Sequence, residues 1–90
     1  MANCNQNSIE KKITLFSEKV DKLPQKVVKL KQQLEIHKNE FSPSFVEYAK
    51  AFLNEMIFVH NISVEQWLYR LMCSGFRKDV ELFLQINNLN

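Results

Sequence analysis

The stretch FSPSFVEYAKAFLNEMIFVHN, residues 41–61, decides the fold class. Ser42 offers a hydroxyl that can accept a hydrogen bond from an unpaired first-turn N–H. Pro43 falls at the first helical position, where a missing N–H costs nothing. Phe41 before the cap and Val46 after it are placed for a hydrophobic staple. The remainder of the stretch is too apolar to leave a face in water, since Ala51, Phe52 and Leu53 run together, as do Met56, Ile57, Phe58 and Val59. A helix apolar on most of its sides must be covered on most of its sides. The pattern predicts a central helix from Pro43 to about His60, stopped at Asn61, within a small all-α domain.

Composition agrees. The chain has 90 residues, 46% of them hydrophobic, with one glycine and two prolines. That is enough for one core and poor in turn formers, which favours helices joined by short connections over a sheet. The expected architecture is a bundle of four or five helices in a single domain over residues 8–90, after a polar, asparagine-rich segment 1–7 expected to be disordered. MANCNQNS has neither the basic nor the apolar region of a secretory signal, and the longest apolar run is far short of a membrane span. Cys4 and Cys73 stand in unlike settings and are expected as free thiols. The expectation is a cytoplasmic protein without a membrane span.

Upstream, Asn7 and Glu10 are spaced for a capping box. From there Ile9, Ile13, Phe16, Val20, Leu23, Val27, Leu30 and Leu34 alternate steps of four and three, a heptad stripe. Pro24 interrupts it, removing a backbone hydrogen bond and clashing with the preceding turn. Either one long helix is kinked at Pro24, or two helices meet there in a short corner. The heptad phase survives the proline and Asp21 is the one candidate cap, which leans towards the kink. The stripe either packs within the chain or also forms a seam with another copy or another protein. Val20, Val27, Leu30 and Leu34 are the candidate contacts of such a seam, and a homodimer is the self-associating version.

Past Asn61 the chain restarts at once. Ser63 is an N-cap with Gln66 three residues on, and Val64, Trp67, Leu68, Leu71 and Met72 share a face. Gly75 supplies a left-handed stop, and Val80, Phe83 and Leu84 mark a final helix. Residues 63–87 therefore read as an αα-hairpin. Within it, LYRLMCSGFRKDVELFLQI (68–86) resembles one repeat of an α-solenoid. Its Leu-x-x-Leu-x-Cys-x-x-Gly core followed by Val-Glu-Leu-Phe is similar to a pentatricopeptide-type hairpin. The run Ile62-Ser63-Val64 with Leu68-Tyr69 and Phe83-Leu84-Gln85 also resembles helical segments of Mic1-like endosomal tethering subunits. The resemblance covers residues 62–86 and implies a helical repeat whose exposed face needs cover from neighbouring helices.

The sequence offers no catalytic or metal-binding signature. His37, His60, Cys4 and Cys73 show no nucleophile–base or metal-ligand spacing, and Gly75 is the only glycine, so no glycine-rich phosphate loop exists. No cofactor is expected. The net charge is +2, yet residues 1–38 carry eight lysines against four acids. Lys19, Lys22, Lys26 and Lys29 form the candidate basic surface, read as a solvated face or as a dock for an acidic partner. A stripe without arginines or interleaved aromatics is weak evidence for nucleic acid. With ten aromatic residues in so small a chain, some are expected at a contact surface, Tyr48, Trp67 and Tyr69 foremost. The expected function is non-catalytic protein–protein interaction, through a groove or the heptad seam and a partner helix. The alternative is a nucleic-acid-binding regulator using the basic N-terminal helix.

Overall fold

A computed structural model describes residues 3–87, with side-chain surroundings for 9–57 and 59–87. Five α-helices follow one another: α1 (Asn3–Asp21), α2 (Lys26–Ile36), α3 (Pro43–Phe52), α4 (Val64–Cys73) and α5 (Arg77–Ile86). A π-helical segment, Leu53–Val59, continues α3. No strand occurs among the described residues, so the all-α bundle ending in a helical hairpin stands.

α1 reaches back to Asn3, ahead of the cap expected at Asn7 and into the segment expected to be disordered. Adding turns to a helix already nucleated and docked costs little, which polar composition alone does not reveal. Met1 and Ala2 lie outside the described residues.

At Pro24 the chain breaks. The helix ends at Asp21, Leu23 N–H bonds the Val20 carbonyl at 2.9 Å, and α2 starts at Lys26. Of the two arrangements open in the sequence, the corner is the one adopted, and Asp21 ties it to the rest of the fold. The Asp21 carboxylate accepts from Lys26 across the break at 3.1 Å and from the Val64 backbone N–H, first residue of α4, at 3.2 Å. Its other oxygen accepts from the buried Ser17 hydroxyl at 2.8 Å. An acid at the end of α1 opposes that helix's own dipole, but here it faces the positive end of α4.

The heptad phase survives because both halves of the stripe enter one core by different doors. Ile9, Ile13, Phe16 and Val20 are buried on α1, which packs on α4 and α5. Leu30 and Leu34 are buried on α2, which packs on α3 and the π segment. Leu23, at the corner, is left 40% exposed.

α4, rather than the 41–61 stretch, is the centre. It touches α1, α3, the π segment and α5, and Val64, Trp67, Leu68 and Leu71 are fully buried on it. The 41–61 stretch instead lies between α2 and α4, with Glu47, Tyr48, Ala51 and Glu55 on its open side. The π geometry has a visible cause. Phe45, Ala49, Leu53 and Ile57 are all buried, one every fourth residue. In an α-helix such a stripe slips about 40° per step. The wider π turn holds more residues per turn and offsets that drift. Asn61, at φ 54°, then stops the helix as expected.

The other stops behave locally. Ser63 accepts from Gln66 N–H at 3.3 Å. Gly75, at φ 94°, closes α4, with Phe76 N–H bonded to the Leu71 carbonyl and Gly75 N–H to that of Met72, each at 3.1 Å. Ser42 takes the backbone position of an N-cap, but its hydroxyl bonds the Asp79 carboxylate of α5 at 2.8 Å instead of capping its own helix.

Candidate interaction surface

The residues singled out from sequence do not form one site. Val20, Leu30 and Leu34 are buried, with 3%, 0% and 0% of their surface exposed, and Val27 packs against the same core. Val20, Leu30 and Leu34 are therefore used within the chain and are not available to a partner in this fold, whereas Val27 keeps part of its surface exposed. Trp67 is fully buried too, its indole N–H donating to the Ala49 carbonyl at 3.1 Å.

Tyr48 is at the surface, but its ring is engaged by Phe52 and Phe76, at centroid distances of 4.6 and 5.4 Å. Ser74 Oγ bridges Tyr48 Oη and the Arg70 carbonyl, and the Arg70 guanidinium covers Phe52 at 4.7 Å. This cluster ties α3 to the α4–α5 hairpin. Tyr69 is partly buried, and burial, with Glu10 and Glu65 nearby, pushes its phenol above the usual range. Five of the ten aromatics are fully core, Phe16, Phe41, Phe45, Trp67 and Phe83 interlocking ring on ring.

What sequence reading missed is the corner that the break at Pro24 creates. Leu23 and Val28 are 40% and 51% exposed on either side of an exposed Pro24. Two hollows flank this ridge. The larger, about 420 Å³, is lined by Pro24, Gln25, Lys26, Val27, Val28, Lys31, Asn54 and Ile57. The smaller, about 330 Å³, is bounded by Leu23, Pro24, Gln25, Val28, Lys29 and Gln32. The α1–α2 turn with the start of α2 forms one wall of the larger hollow, and the π segment the other. The sequence signal was available: Leu23-Pro24 and Val27-Val28 are apolar pairs, and each places one member off the buried stripe.

Two of the basic candidates line the hollows, Lys29 the smaller and Lys26 the larger, where Lys31 joins it; Lys22 is exposed in the α1–α2 turn. Lys26 is already paired with Asp21, whereas Lys19 is exposed one turn back on α1. No carboxylate lines either hollow. Among the described residues no three His, Cys, Asp or Glu side chains converge as a metal site, and no helix is long and apolar enough to cross a membrane.

The α4–α5 hairpin is covered by α1 and by α3 with its π continuation. Comparison of the chain with protein families, with curated proteins and with solved structures gives no match.

Proposed function

We propose that this protein is a non-catalytic protein–protein interaction module, a small adaptor or regulatory subunit of the cytoplasm, and that it docks its partner at the Pro24 corner. The observation that carries this is the exposed ridge of Leu23, Pro24 and Val28 with a hollow on each side. Exposed apolar residues scattered singly are ordinary, but a contiguous apolar ridge with formed hollows has the shape of a contact site. The cytoplasmic setting rests on the two cysteines, read as unpaired thiols in unlike settings.

The test is site-specific photo-crosslinking in cells that make the protein. A crosslinker at position 28 should give discrete adducts that a crosslinker at position 81, on the far helix α5, does not. Leu23→Asp should remove them. Equal adducts from both positions, or none from position 28, would end this proposal. A nucleic-acid-binding regulator using the exposed lysines of α1, Lys11 and Lys19, with Lys22 in the turn that follows, is the second reading. It requires retardation of labelled duplex that fades steeply with salt.

A further inference from the structure

We infer that the occupant of the corner is an acidic amphipathic helix, carrying two aliphatic side chains about one turn apart on one face and carboxylates on its flanks. This rests on the docking surface proposed above and names what fits it.

The two hollows share Pro24, Gln25 and Val28 and differ in their outer walls. They are one groove divided by a ridge, with room for a side chain on each side of Val28. Side chains three or four residues apart on a helix lie on one face and straddle such a ridge. The lining supplies apolar side chains, amides and lysine stems but no sheet edge. An incoming segment must therefore satisfy its own backbone N–H and C=O groups, as a helix does and an extended peptide does not.

The sign of the partner follows from the rim. Lys26, Lys29 and Lys31 line the hollows and no carboxylate lines them; Lys26 is paired with Asp21 at 3.1 Å, so Lys29 and Lys31 set the sign of the rim. Lysine covers apolar surface with its stem while holding the ammonium in water, so the same residues wall the groove and charge its edge. The positive end of the α2 dipole points the same way, and its N-cap residue, Gln25, makes no side-chain cap. A polyanion such as nucleic acid would match the rim and leave the apolar floor unused.

The test uses the whole chain and fluorescein-labelled, helix-stapled peptides read by anisotropy. The first peptide has two leucines one turn apart and glutamates on the flanks. The second has lysines for the glutamates, and the third keeps the glutamates but splits the leucines to opposite faces. The first should bind, more weakly as salt rises. Val28→Asp should weaken it by roughly tenfold or more. The pair Lys29→Glu and Lys31→Glu should weaken it about three- to tenfold, most at low salt. Val28, Lys29 and Lys31 all reach solvent, so circular dichroism should show each variant folded. Equal binding of the third peptide, or of labelled duplex DNA, would mean the surface reads charge alone and would overturn the inference. Equal binding of the lysine peptide would overturn it from the apolar side. If none of the peptides binds while position 28 still gives discrete crosslinks, the acidic helix is wrong and the docking surface stands. If both fail, both fall.

Discussion

Asp21 joins three parts of this fold. One carboxylate receives a buried hydroxyl, a lysine across the α1–α2 break and the first amide of α4. Asp21→Ala leaves the Ser17 hydroxyl and the Val64 N–H without their acceptor, at a cost of about 2–3 kcal/mol in urea denaturation. Lys26→Ala removes only the partly exposed pairing and should cost well under that, about 0–1 kcal/mol. Equal costs would mean that the carboxylate serves the lysine and not the amide of α4. Gly75 makes a cleaner case. A Cβ there would meet nothing within 4 Å, so Gly75→Ala is opposed only by the backbone at φ 94°. The expected loss is about 1–2 kcal/mol in the same measurement. Tyr69 gives the pH dependence. Its phenol titrates above the usual value in the folded protein, because burial and nearby acids disfavour the phenolate. The stability it contributes is complete below the unfolded value near 10 and is lost as pH rises through the folded one. A Tyr69→Phe variant should therefore lose less stability than the parent above that pH.

At the scale of elements, the helix stops written by local chemistry were legible in the sequence. Pro43 begins α3, Asn61 and Gly75 turn left-handed, and Ser63 caps α4. Those features act within a turn, so a local reading finds them. The sequence left both a kink and a break open at Pro24, because the bond that ties the broken arrangement to the fold, from the Val64 N–H to the Asp21 carboxylate, joins residues 43 positions apart. The π segment was hidden for a similar reason. A stripe of every fourth residue fits a straight helix on paper, and only the fixed faces of its neighbours force the wider turn. The break stood among the open arrangements, but the apolar ridge it leaves at the surface did not follow from the stripe alone. The α2–α3 contact carries its own prediction. The Lys50 ammonium, 3.0 Å from Glu35, holds that carboxyl below its usual range by hydrogen bond and charge. In an NMR titration Lys50→Ala should return the Glu35 carboxyl towards the ordinary value, and its stabilising effect is present above that value and lost as pH falls through the lowered one.

For the whole molecule, the radius of gyration is 12.3 Å, as expected of a compact chain of this length. With the heptad stripe inside, light scattering should return the 10.7 kDa mass of one chain. Changing Val20 and Leu30 together to aspartate should unfold the protein and not merely dissociate a dimer, because each places an unpaired charge in a site 3% or less exposed. A folded monomer of that double variant would place the stripe outside the core. The covering of α1 also bears on how the protein is made. Its stripe is sheltered by α4 and α5, the helices translated last among those described. During synthesis α1 emerges with a bare apolar stripe that stays uncovered until α4 has followed, Asp21 to Cys73, while the α2 half is covered sooner by α3 and the π segment. A nascent or truncated chain ending before α4 is thus adhesive in a way the finished protein is not.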